Sequence, residues 1–546
     1  MKKMKKLVSL LLTLVMVAAM AVSVSADDTT TYTITIEGSM SASGTTESHT
    51  YSAYQVFAGD LATDGTTLSN VTWGTGVNST SLLTAVKAIT DGDDTPFANC
   101  STAAEVAEVL GGYSDNSDVA KAFATAVSNN LADTASGSAS TTNDSGNYVI
   151  SNLTAGYYFV KDSASLDGLD AAATRYILEV VSNVTVTPKS DTPTVTKKVK
   201  ETNDTTNTTS TWQDAADYDI NDTIPYQLTG TLPDVLSDYS TYAYTFTDTM
   251  SVGLTYSSDS VKVYVVTGDD KTEVASSGYT ASTTTIDSTA TSYAGGTTLT
   301  VAISDVKSLK DTSGAAITVT SDSTIVVEYS ATLNSNAVIG SAGNPNEVYL
   351  TYSNNPNGSG TGKTPTDKVI VFTYEIDANK VREATAEDET SNSTVPLSGA
   401  GFTLYKLVDG TYTIVGSEVT GGTTFTFQGV DAGTYKLVET TVPDGYNKAD
   451  DVIFNIVATY TDSSDDPSLS ALSVTNSENT TISGENGSFT ATSESGIVST
   501  DILNQKGSVL PTTGGMGTTI LYVIGTILVL GAAILLVTKK RMSSER

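Results

Sequence analysis

The 546-residue chain is too long for one core, and at roughly 150 residues per domain it divides into three or four. Its formal charge of −33 excludes a face built for nucleic-acid phosphates, and its single cysteine, Cys100, excludes an intrachain disulfide framework. Thr, Ser, Val, Tyr and Gly dominate, a composition that favours strands over helices.

The chain opens with "MKKMKKLVSLLLTLVMVAAMAVSVSADD": a basic front, an apolar middle and small residues before a polar break. This reads as a secretory signal peptide over residues 1–26, with cleavage after Ala26. Residues 27–189 form an N-terminal module of mixed strands and a few helices. "YTITIEG" and "HTYSAYQVFAG" alternate like strands. "STAAEVAEVL" predicts a helix capped by Thr102, with Glu105 completing a capping box. "DVAKAFATAVSNNL" places Val119, Phe123 and Val127 on one helical face.

Residues 190–366 read as a β-sandwich of short strands separated by turn residues. In "TVTKKV", Val195, Lys197 and Val199 share one face; in "TFTDTM", Phe246, Asp248 and Met250 do; and Asn346 has the parity of Val348, Leu350 and Tyr352. Burial favours the neutral, nucleophilic form of the amine and the protonated form of the acid. An amine, an acid and an amide on inward faces suggest an intramolecular isopeptide bond. The amine attacks the Asn carboxamide carbon, the acid polarises the carbonyl and shuttles protons, and ammonia leaves. Lys198 is the alternative amine, and Asn354, with the parity of Asn346, the alternative amide.

A linker, "NNPNGSGTGKTPTD", leads to a second sandwich over residues 367–506. The same triad recurs there: Lys380 in "YEIDANKV", Glu439 in "GTYKLVETTVPDGY" and Asn504 in "DILNQ". No comparable set occurs in the first module. Residues 507–546 contain "LPTTGG", an apolar run from Thr518 to Thr538 long enough to cross a bilayer, and a basic tail beginning Lys539, Lys540, Arg541. Enzyme chemistry finds little support. The one histidine, His49, reads as a strand-end polar residue, no zinc spacing or phosphate loop occurs, and the acidic clusters read as solvated loops. No cofactor and no metal are expected, and any bond formation is a single self-modification.

Leu510, Pro511, Thr512, Thr513 and Gly514, with the apolar span and basic tail behind them, resemble the cell-wall sorting signal of Gram-positive surface proteins. That resemblance implies that a sortase cysteine attacks the carbonyl of Thr513, cleaves before Gly514 and passes the acyl group to an amine. "VTVTPK" resembles the pilin motif of sortase-assembled backbone pilins, which makes Lys189 the implied acceptor; Thr187 stands where that family usually has tyrosine. "TKKV", "FTDTMSVGLTY" and "NEVYLTYSNNP" resemble the D2 fimbrial isopeptide domain, and "LSGAGFTLYK" with "YKLVETTVPDGY" resembles the collagen-binding-protein B-type domain. The fold expected is mainly β: tandem immunoglobulin-like sandwiches of the collagen-binding-protein kind after the mixed first module. The function implied is a major pilin, exported, wall-anchored and joined head to tail. A monomeric wall-anchored adhesin is the alternative; it would not need Lys189. The implied partners are a pilin-specific class C sortase, the housekeeping sortase with peptidoglycan, further copies of the chain and minor pilins, with any host surface ligand unidentified.

Overall fold

The computed structural model describes residues 30–37, 49–114, 117–187, 192–388, 392–461, 466–476, 488–507 and 516–542. The expected leader lies outside these residues.

In the first module a sheet is built on Tyr51–Leu61, which pairs antiparallel with Leu68–Trp73 and with Gly156–Asp162. The first seven residues of that strand are buried, because a sheet lies against one of its faces and helices against the other. A smaller sheet sets Tyr32–Ile36 between Tyr148–Leu153 and Val184–Val186. Helix Ala103–Leu110 carries the expected capping box from Thr102 to Glu105. Helix Asp118–Ser128 buries Val119, Phe123 and Val127. A further helix, Ser79–Lys87, was not anticipated; it is nine residues long and buries only Leu82 and Val86, too short a stripe to stand out by periodicity.

The second module is a two-sheet sandwich. One sheet contains Tyr244–Met250, Asn344–Ser353 and Asp367–Phe372; the facing sheet contains Val195–Val199, Thr223–Thr231 and Ser323–Leu333. Tyr244–Met250 and Asn344–Ser353 alternate buried and half-buried along their full length, as the period of two requires. The third module is another sandwich, of two five-stranded sheets.

The expected boundary at 366/367 is displaced. Asp367–Phe372 pairs antiparallel with Asn344–Ser353 and parallel with Ala215–Asp217, so it belongs to the second sandwich's sheet. Its two faces serve different cores: Val369 and Val371 pack in the second module's core, Ile370 and Phe372 in the third's. Ala216 and Ala215 divide in the same way. The run "KVIVF" is apolar at alternate and intervening positions because the strand is covered on both sides.

More contacts tighten this joint. Ile220 N–H donates to Gly429 C=O at 2.9 Å, and Asp431 N–H donates to an Asp219 carboxylate oxygen at 2.8 Å. Gly429 has φ +76°, and a Cβ there would come within 2.2 Å of Ile220, so both conformation and space call for glycine. At the far end, helix Met516–Met542 has its stretch from Ile520 long and apolar enough to cross a membrane, with Lys539, Lys540 and Arg541 in its last turn.

Candidate cross-link sites

Among the described residues, three lysines are buried in the two sandwiches: Lys197 and Lys380 completely, Lys406 to 2% exposure. Alternation along their strands turns each inward. Their surroundings separate them chemically.

Lys197 lies on Val195–Val199, an edge strand of one sheet, and reaches across the sandwich to the other. Its amine nitrogen contacts Asp248 Oδ2 directly. Asp248 and Asn346 stand on adjacent antiparallel strands of the opposite sheet, where Met250 is paired with Asn346 and Asp248 with Val348. The three side chains meet at Tyr329, which projects from Ser323–Leu333. The phenol oxygen lies 2.9 Å from Lys197 Nζ, donates to Asp248 Oδ1 at 2.9 Å, and accepts from Asn346 Nδ2 at 2.7 Å. Asn346 Oδ1 is buried and has no hydrogen-bond partner among the described residues. Burial pushes the Lys197 amine below its ordinary pKa, against the pull of Asp248, and pushes the Asp248 carboxyl up, against the pull of Lys197. Both shifts favour a neutral amine beside a neutral acid.

The alternatives lie elsewhere. Lys198 points to the other face and pairs with Asp214. Asn354 is buried, but its Nδ2 donates to Leu166 C=O at 2.9 Å and Ala171 C=O at 3.0 Å in the first module, so it fastens a module contact.

In the third module Lys380 and Asn504 sit at neighbouring positions of parallel strands, Tyr374–Glu383 and Ile497–Leu503 with the residue that follows it; Asn504 N–H donates to Val381 C=O at 3.0 Å. Lys380 Nζ contacts Asn504 Oδ1 directly. Glu439, from the opposite sheet, places Oε1 3.1 Å from Lys380 Nζ and 2.9 Å from Asn504 Nδ2, while Oε2 accepts from Ala449 N–H at 2.7 Å. All three side chains are buried, and burial lowers the Lys380 pKa.

Lys406 differs. Its ammonium lies 2.7 Å from Asp204, 2.6 Å from Asp219 and 2.7 Å from Asp431. Burial alone would lower its pKa, but the carboxylates of Asp431 and Asp219 outweigh that and hold it above the ordinary lysine value. Asp204, Asp219, Asp222 and Asp431 bring carboxylate oxygens within 4.8 Å of one another, a spacing that would suit a divalent cation, and the Lys406 ammonium holds that place. It is an ionic tie between modules, with its amine protonated and not poised to attack.

His49 is buried in the first module with Nδ1 2.5 Å from Asp162 Oδ2, its ring stacked on Tyr51. Lys189 and the segment Leu510, Pro511, Thr512, Thr513, Gly514 lie outside the described residues. Sequence reasoning missed Tyr329 and Lys406. The signal was present for both: Tyr329 has the parity of Val327 and Ala331, and Lys406 that of Phe402 and Leu404.

Residues 220–356 match the family described as Gram-positive pilin backbone subunit 2, Cna-B-like domain; residues 383–467 match a prealbumin-like fold domain; residues 502–544 match the LPXTG cell wall anchor motif. The chain carries the domains and the anchor of a Gram-positive backbone pilin. It is 26% identical over 412 residues to the trypsin-resistant surface T6 protein of Streptococcus pyogenes serotype M6, covering 65% of this chain and 70% of that protein. Among solved structures it resembles the T6 backbone pilin of the same serotype (18% identity, 89% of this chain, 100% of that chain, TM-score 0.49) and the major pilin SpaD of Corynebacterium diphtheriae (17%, 88%, 99%, TM-score 0.41). The anchor motif with its apolar helix fits a secreted protein held at the cell wall, and the pilin-backbone domain supports a structural part in a pilus.

Proposed function

We propose that this pilin is the polymerising backbone subunit of a covalent pilus and is stapled internally by two isopeptide bonds, Lys197–Asn346 and Lys380–Asn504. The observation that carries the reading is the pair of buried lysines whose pKa burial lowers, each grouped with one buried acid and one buried asparagine. At each site the neutral amine forms the new C–N bond to the asparagine Cγ. The acid, Asp248 or Glu439, takes the surplus amine proton and supplies one to the departing nitrogen. One ammonia leaves per bond, and no cofactor enters.

Between subunits, a pilin-specific class C sortase cleaves after Thr513 and joins its carbonyl to Lys189 of the next copy. The housekeeping sortase transfers the last copy to peptidoglycan. A head-to-tail contact of this kind does not close on itself, so it grows a filament. The domain organisation that serves this is a first module ending at Lys189, two stapled sandwiches and the sorting signal. Minor pilins and a host surface ligand are further partners.

Two measurements test the reading. Intact mass of residues 27–510 is expected two ammonia losses below the sequence mass, with branched peptides joining Lys197 to Asn346 and Lys380 to Asn504. Linear, unmodified peptides at both sites would refute the staples. In wall extracts, Lys189→Ala is expected to abolish the high-mass ladder while leaving exported monomer. An unchanged ladder removes Lys189 from its role, and a wild type without a ladder favours the monomeric adhesin.

A further inference from the structure

The two candidate sites solve the same proton-transfer problem with acids of different length. In the third module one oxygen of Glu439 touches both ends of the reaction, the Lys380 amine at 3.1 Å and the Asn504 amide nitrogen at 2.9 Å. In the second module the acid is Asp248, one methylene shorter. It touches the Lys197 amine through Oδ2, but among the described residues its contact toward Asn346 runs through Tyr329. The contacts form one unbroken chain: Lys197 Nζ, Asp248 Oδ2, Asp248 Oδ1, Tyr329 Oη at 2.9 Å, Asn346 Nδ2 at 2.7 Å.

We propose that the Tyr329 hydroxyl is the proton relay of the second-module cross-linking reaction, joining Asp248 to the leaving nitrogen of Asn346. The inference rests on the isopeptide reading above. In the resting site the amide Nδ2–H donates to the phenol oxygen, since a planar amide nitrogen is no acceptor. Attack by the Lys197 amine forms the Nζ–Cγ bond and moves the carbonyl electron pair onto Oδ1. The carbon becomes tetrahedral, and Nδ2 gains a lone pair aimed at the phenol. For the transfer the phenol O–H turns from Asp248 Oδ1 to the new Nδ2 lone pair, and the carboxyl proton sits on Oδ1 and donates to the phenol oxygen. The surplus Nζ proton then passes to Oδ2 as Oδ1 releases its own to Tyr329, which hands its hydroxyl proton to Nδ2. The Cγ–Nδ2 bond breaks, Oδ1 returns its electron pair to the carbonyl, and ammonia departs. Asp248 and Tyr329 each end with the proton count they began with.

Two features hold Tyr329 to this role. Its ring stacks on Tyr226 at 5.2 Å between centroids and 18° between planes, which fixes the hydroxyl. Burial holds its phenol pKa well above the ordinary value, with the Asp248 charge adding to that, so the relay carries a proton when the amine attacks. At the third-module site the aromatic ring over the lysine amine is Phe402, which has no hydroxyl to offer.

The test uses the full secreted chain, made in a short cell-free burst and chased while intact mass and tryptic peptides are sampled. Tyr329→Phe keeps the ring and removes one oxygen. Acid–base relays contribute about 10²–10⁴-fold, so the Lys197–Asn346 bond is expected to form at least about 100-fold more slowly. The Lys380–Asn504 bond in the same molecules forms at the wild-type rate, an internal clock for the chase, and unchanged hydrogen-exchange protection of the second-module core shows that its fold is kept. Second-module bond formation at the wild-type rate in this variant overturns the relay but leaves the isopeptide reading intact. Absence of the Lys197–Asn346 branched peptide from wild type overturns both. A comparison without substitution guards against misfolding: wild type chased in D2O should slow more at the second-module bond, where more protons are in flight, than at the third-module bond. Equal isotope effects at the two sites overturn the relay.

Discussion

A lysine removed from water has two stable outcomes, and this chain shows both. Lys197 and Lys380 meet too little negative charge to offset desolvation, so the neutral amine is favoured. Lys406 meets three carboxylates within 2.7 Å and stays an ammonium. Replacing it should therefore do a different kind of damage. Lys406→Met strands buried carboxylates without a partner, an expected loss of about 3–5 kcal/mol. Those carboxylates can shed their charge by protonation in acid, so the drop in Tm should be larger at pH 8 than at pH 5. A drop of equal size at both pH values would mean that Lys406 contributes by packing alone. Strand parity was enough to expect Lys197, Asp248 and Asn346 on inward faces, because a period of two assigns a side from the sequence alone. Which buried lysine stays charged was not legible. Asp204, Asp219 and Asp431 come from three separated segments, and only the folded joint brings them to Lys406.

At the scale of the element, the strands that carry the cross-linking residues are arranged differently in the two sandwiches. The second module's site spans the gap between its sheets, whereas Lys380 and Asn504 bridge parallel neighbours 124 residues apart in sequence. Glu439→Gln preserves the shape of the side chain and removes its acid. The expected result is an unjoined third module, heavier by one ammonia, that melts earlier while the second module keeps its own bond. Closing a loop of about 100 residues is worth about 4.7 kcal/mol in the chain-entropy picture framed for disulfides. A variant that still loses the second ammonia would remove Glu439 from the chemistry. The strand Asp367–Phe372 offers another contrast, since neighbouring residues serve different cores. Phe372→Ala should lower the stability of the third module first, by about 3–5 kcal/mol, and Val371→Ala that of the second, as followed by hydrogen exchange in each core. Loss in the same module from both variants would contradict the two-sided strand. The sequence shows this strand as an uninterrupted apolar run, and such a run does not say whether its two covers belong to one domain or to two.

Across the whole molecule the second and third modules share a strand and meet at an acidic seam. Burial, then repulsion from Asp219 and Asp204, pushes the Asp222 carboxyl up to about 6. An aspartate in an unfolded chain titrates near 4, so the folded state holds the extra proton. Stability from this group is full below about pH 4 and is lost as pH rises through about 6. Asp222→Asn should accordingly raise Tm at pH 8 and narrow the difference between pH 5 and pH 8; an unchanged pH profile would place the sensitivity elsewhere in the seam. The shared strand has a consequence for the order of export. A secreted chain emerges amino end first, so Lys197, Asp248 and Asn346 are all outside before Asp367–Phe372 arrives to complete their sheet. Once that strand docks, Ile370 and Phe372 face water until the third sandwich has emerged and covered them. For that interval the nascent pilin displays a sticky flank at the cell surface, so crowded translocation sites are where premature self-association would begin.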